Sequence, residues 1–142
     1  MKRHELVQRW KAWAAEHHFE LDRHDAAYGG MIEGIAVYVD TGVRDSGLYD
    51  VVVKLPIATG MTPAIVRRDT PVAEGDDVHR VRRAVEELAE SVNAIKSIAI
   101  HEDELALRFA HGTEPDIAVD LGARRVIEAW KAFDPNAVGA YR

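Results

Sequence analysis

Apolar and polar positions along the chain follow two periods, and the switches between them mark out its elements. Leu6, Trp10, Trp13 and Ala14 recur at helical spacing, with His17 one turn further on. Residues 4–17 are therefore predicted to form an amphipathic helix, with Lys2, Arg3, Glu5, Arg9 and Glu16 on its wet side. Residues 19–28 are mostly polar, Phe19-Glu20-Leu21 reads as a short extended segment, and Gly29-Gly30 breaks the pattern. The period then drops to two. Ile35, Val37 and Val39 alternate with Ala36, Tyr38 and Asp40 in a strand over 31–40. Tyr49, Val51, Val53 and Leu55 share one face of a second strand over 48–55. The turn region 41–47 between them suits an antiparallel hairpin. Pro56 ends the second strand, since proline cannot donate to a ladder, and 64–68 is expected as a short edge strand bracketed by Pro63 and Pro71.

The helical period returns over 77–92, where Val78, Val81, Val85, Leu88 and Val92 make one stripe behind a capping residue, Asp76. Two strands follow. If their turn is Glu102-Asp103, Ile100 faces Leu105 and Ile98 faces Leu107, so both apolar sets fall on one side. A slip of one residue would split them between faces. The last helix is expected over 121–133, with Ala123, Val126, Ile127, Trp130 and Phe133 on one face, Asp120 as N-cap and Asp134-Pro135 as stop. The order α-β-β-(β)-α-β-β-α has more hairpins than crossovers. It predicts one α+β domain over 1–142, a mainly antiparallel curved sheet of four to five strands from two hairpins, packed on one face by three helices.

Composition narrows the chemistry. The chain has no cysteine, which excludes disulfides, thiol nucleophiles and cysteine-ligated metals and leaves histidine and carboxylates as metal ligands. Its net charge of −6 argues against nucleic acid as a general partner. No apolar run reaches the roughly 18 residues of a membrane span. The start, Met1-Lys2-Arg3-His4-Glu5, leads into an amphipathic segment, so no secretory leader is read. The expected setting is a bacterial cytoplasm, with no membrane partner and no cofactor.

Candidate sites are few. His17, His24 and Asp25 lie close in sequence and are the candidate metal ligands, but their spacing matches no ligand motif and the chain has no His-Glu-x-x-His. His101 and His111 flank the second hairpin as a conceivable acid–base pair. Ser46, Ser91 and Ser97 sit in no nucleophile motif. The glycines at 29, 30 and 34 lead into a strand, where a phosphate cradle would lead into a helix, and they read instead as backbone freedom or close approach of a neighbour. Arg80, Arg82 and Arg83, with Arg67 and Arg68 upstream, form a basic patch. Glu86 and Glu87 stand four residues after Arg82 and Arg83, a spacing for intrahelical ion pairs.

Trp10, Trp13 and Trp130 lie on apolar stripes, as core or as an aromatic surface for a partner. With no catalytic constellation, the leading expectation is a non-enzymatic protein-binding or assembly module. Trp10, Trp13, Arg80 and Arg83 are its candidate contacts, with a protein partner or a second copy in a homodimer. The alternative is a small-ligand or metal-binding enzyme with a His/Asp site near 17–25. A third reading, nucleic-acid binding through Arg67, Arg68, Arg80 and Arg83, requires steep salt dependence.

Overall fold

A computed structural model describes residues 2–21, 27–60, 63–67, 83 and 95–133. The helix expected over 77–92 lies outside them, apart from Arg83, which is helical and exposed.

α1 (Arg3–His17) buries Leu6, Trp10, Trp13 and Ala14, the stripe that its sequence spacing predicts. It stops where His18 turns left-handed (φ 58°) and Phe19 N–H bonds back to the Ala14 carbonyl at 2.8 Å. Nine strands follow: β1 (Glu20–Leu21), β2 (Ala27–Ile32), β3 (Ile35–Asp40), β4 (Val43–Arg44), β5 (Gly47–Leu48), β6 (Val51–Leu55), β7 (Ala64–Arg67), β8 (Ile95–Ile100) and β9 (Leu105–Phe109). A π-helical run (Asp116–Ala123) continues directly into α2 (Arg124–Phe133).

Seven strands form one antiparallel sheet in the order β1-β2-β3-β6-β9-β8-β7, and β4 and β5 pair separately. The mixed α/β class and the antiparallel sheet agree with the sequence reading. The count does not: the sheet has seven strands, where four to five were expected, and the described residues hold two helical stretches, where three helices were expected.

The extra strands are β1, from the short extended segment at Phe19-Glu20-Leu21, and β2, from the glycine region. The strand expected over 31–40 is two strands, β2 and β3, joined by Glu33 (φ 51°) and Gly34 (φ 80°). Both turn residues have positive φ, the geometry whose twist matches a hairpin. Gly30 gives β2 its close neighbour: a Cβ there would collide with the Phe19 ring. Elsewhere the expected pairings are found. β3 pairs with β6, and β8 with β9 with Ile98 opposite Leu107 and Ile100 opposite Leu105. β7 is one of the sheet's two edge strands, β1 being the other.

The final helical run starts earlier than expected. Pro115 precedes it, and the amides of Ile117 and Ala118 bond to the Glu114 carbonyl. Asp120 is therefore interior to the run and not its N-cap. Gly122 lets the run approach the sheet, because a Cβ there would meet the Phe109 ring.

One face of the sheet is the core. Val37 and Val39 of β3, Val51 and Val53 of β6, Leu107 and Phe109 of β9 and Ile98 of β8 pack with Trp10 and Trp13 of α1 and with Val119, Ile127 and Trp130. Residues in the alternate positions of the same strands turn away from this core, as a period of two requires. Among them Ala36, Tyr38, Lys54, Ile65, Arg67 and Arg108 are exposed.

Candidate functional site

Two grooves lined by described residues combine concavity with polar groups. The first lies where α1 meets the π-helical run. Trp13 Nε1–H donates to Asp120 Oδ2 at 3.0 Å, across 107 residues of sequence. His17, one turn beyond Trp13, stacks on its indole with ring centroids 4.5 Å apart. His17 Nδ1 lies 2.8 Å from the Trp13 carbonyl oxygen. A carbonyl only accepts, so Nδ1 carries the proton and donates. Nε2 then faces Asp120 Oδ1 at 3.5 Å. The groove beside them, of about 390 Å³, is also lined by Arg9, Glu16 and Asp116.

The chemistry open to this cluster is narrow. A general base needs one ring nitrogen held by an orienting group and the other turned to the substrate. Here the Trp13 carbonyl holds one nitrogen of His17 and Asp120 faces the other. The partner the sequence reading gave His17 was local, His24 and Asp25. Both of those lie outside the described residues, and His17 pairs instead with Asp120. Among the described residues no three His, Asp or Glu side chains converge as a metal would require. His101 and His111 stand at opposite ends of β9, with its whole length between them, and make no acid–base pair.

The tryptophans are structural. Trp10 is 1% exposed and Trp13 6%. Trp10 packs edge-on against Trp13 and stacks on Tyr28 at 6.3 Å. Trp130 is also in the core. None offers an aromatic surface, because the stripes they occupy are the ones that pack on the sheet. Burial raises the Tyr28 phenol above its ordinary value of 10.0. Of the arginine candidates, Arg67 and Arg83 are exposed, while Arg68 and Arg80 lie outside the described residues.

The second place is the open face of the sheet, where β6, β9, β8 and β7 form a shallow groove of about 330 Å³. Its floor is Val52, Ala99 and Ala106, one wall is Ile65, and Arg67, Lys96, Arg108 and Asp50 rim it. Ile65 is 55% exposed on the edge strand. Asp50 pairs with Lys96 at 3.0 Å and lies 3.9 Å from Arg108. A register shift between Ile95 and Ser97 lets both Lys96 and Ser97 line this groove. Arg67 belongs to the basic patch visible in the sequence. The rest of the groove was not read as a site, because its residues come from four separate strands or their flanks.

No family model matches the chain, and no curated protein matches it. The fold has a solved counterpart. It is similar to the crystal structure of the mycobacterial trehalose monomycolate transport factor A, TtfA, with a TM-score of 0.63. The match covers 89% of this chain and 93% of that one at 15% identity. At that identity the likeness is one of fold. Among the described residues no helix is long and apolar enough to cross a membrane.

Proposed function

We propose that the protein is a non-enzymatic protein-binding or assembly module of a bacterial cytoplasm, and that the open face of its sheet is the binding surface. The observation that carries this reading is the groove over Ala99 and Ala106 with Ile65 exposed beside it. A sheet face with small residues at its centre and a large apolar residue at its rim lets another chain approach closely and cover Ile65. In this reading Trp10 and Trp13 hold α1 on the opposite face and touch no partner. Arg83, which is exposed, remains a candidate contact, and Arg80 stays with it as a proposal.

Capture from a native lysate tests the reading when wild type is compared with Ala99→Trp, which fills the groove, and with Ile65→Asp, which charges its wall. A partner held by wild type and lost by both variants supports the open face. Identical captured sets, with no self-association of wild type by light scattering, overturn it.

A second reading, a small-ligand site in the His17–Asp120 groove, has one observation in its favour. Asp120 Oδ1 is buried and accepts no hydrogen bond among the described residues, with His17 Nε2 3.5 Å away. Metal analysis of protein purified without an affinity tag checks it: stoichiometric zinc or manganese, lost in Asp120→Asn, would favour this reading over the first.

A further inference from the structure

We infer that the open-face groove takes an acidic segment of a protein partner, with carboxylates on Arg67 and Arg108 and one large apolar side chain over Ala99 and Ala106. This inference rests on the proposal that the open face binds protein and names the partner's chemistry. Cross-strand register carries it. Arg108 of β9 stands opposite Ser97 of β8, and Ser97 stands opposite Arg67 of β7. Two guanidiniums thus flank a hydroxyl in one row across three strands. With Lys96, three cations share the groove with one carboxylate, Asp50. Asp50 is turned to Lys96 and Arg108, and Arg67 forms no ion pair among the described residues. A local excess of positive charge on a chain of net charge −6 selects an acidic partner and steers its approach.

The neighbouring row supplies the rest. Ala106 stands opposite Ala99, and Ala99 opposite Ile65. The two alanines leave the depression and Ile65 walls it, so a bare anion would leave this apolar surface wet. Strands β9 and β7 are two strand spacings apart, about 10 Å. Two carboxylates spaced along one peptide meet both arginines where they stand, and an apolar residue between them fills the depression. A groove of about 330 Å³ is at the small end of ligand sites, which run from roughly 300 to 1,000 Å³, and is sized for a few side chains.

Fluorescence anisotropy of the full chain tests this with a short dye-labelled peptide of alternating Glu and Leu as probe. The same peptide with Gln for Glu, and with Ser for Leu, serves as control. The expected result is binding of the Glu/Leu probe that weakens about tenfold or more in Arg67→Ser plus Arg108→Ser, and comparably with either control peptide. Added salt should weaken it further. Both arginines are exposed, and unchanged circular dichroism and thermal unfolding would show that the fold is intact.

Failure of the probe to bind, or equal binding of the Gln peptide, overturns the inference. So does displacement of the probe by inorganic phosphate at matched concentration, which assigns a small anion, or self-association lost in Arg67→Ser, which assigns a second copy. Ala99→Trp separates the two levels of the argument. If it abolishes partner capture while the acidic probe does not bind, the acidic chemistry falls and the open-face reading stands. If capture survives Ala99→Trp, the open-face reading falls.

Discussion

The two faces of the sheet are made by alternate residues of the same strands, yet they are different surfaces. The covered face presents Val, Leu, Ile and Phe, which pack in one core with residues of α1 and of the helical run from Asp116. The open face presents Ala, Ser, a few exposed apolar residues and several charges, among them Asp50, Arg67, Lys96 and Arg108. Burying a Val, Leu, Ile or Phe side chain stabilises by about 1.5–3 kcal/mol, whereas an exposed ion pair contributes about 0–1 kcal/mol. The covered face therefore carries the fold, and the open face contributes little to it.

The largest effect that would sharpen this contrast is at Phe109. It is fully buried, opposite Val51 and Ile95, with Gly122 close over its ring. Phe109→Ala should cost about 3–5 kcal/mol in urea unfolding, a large part of the roughly 5–15 kcal/mol of a typical domain. A loss under 1 kcal/mol would mean that the helical run does not depend on this face.

Next is the bond between α1 and the π-helical run. Asp120→Ala removes the acceptor from Trp13 Nε1, which belongs to a residue only 6% exposed. Leaving a buried donor unpaired should cost about 1–3 kcal/mol. Asp120→Asn keeps an oxygen at the same place and should cost less. If the two variants are equally stable, the carboxylate contributes as a charge and the hydrogen bond is not what ties the elements together.

The contrast between the faces also explains what the sequence made legible. Where one face is buried, a one-residue slip exposes a whole apolar set, so the pattern of Ile98, Ile100, Leu105 and Leu107 specifies its own register. β2 was hidden because its middle is Gly29-Gly30, whose missing side chains leave no alternation to read. The space at Gly30 is filled by Phe19, from outside the strand. The early start of the last helical run had a local signal, Thr113-x-x-Asp116 with Pro115 ahead of Ile117. Asp120 and Gly122 within the run masked it by looking like a later boundary. The candidate sites were less legible for a different reason. His17 meets Asp120, and Arg67 joins one cross-strand row with Ser97 and Arg108, only through tertiary pairing. Composition and local spacing grouped His17 with His24 and Asp25, and Arg67 with Arg80 and Arg83, by proximity in sequence alone.

A pH-dependent test reaches the packing beneath α1. Tyr28 is buried, stacks on Trp10 and has its phenol raised above 10.0 by desolvation. The folded state thus holds the proton after the unfolded chain would release it. This contribution is fully present below pH 10 and is lost as pH rises from 10 through the folded value. Tyr28→Phe has no such group, so its stability should fall less steeply than wild type above pH 10, as followed by urea midpoints from pH 8 to 11. Parallel curves would show that Tyr28 ionises in the folded protein as easily as in the unfolded one.

The smallest stability effect belongs to the open face, and there the comparison can be broken outright. Ile65 is 55% exposed on an edge strand, and Ala106 faces the same groove. Ile65→Ser and Ala106→Ser remove little buried area and should change stability by no more than about 0.5 kcal/mol. If instead they cost as much as a core substitution, this face is packed against something within the chain, and it is not a free binding surface. If stability is unchanged and partner capture falls, one set of strand residues holds the fold and the alternate set does the binding. The division follows from the pleat itself, because neighbouring residues on a strand must point to opposite faces.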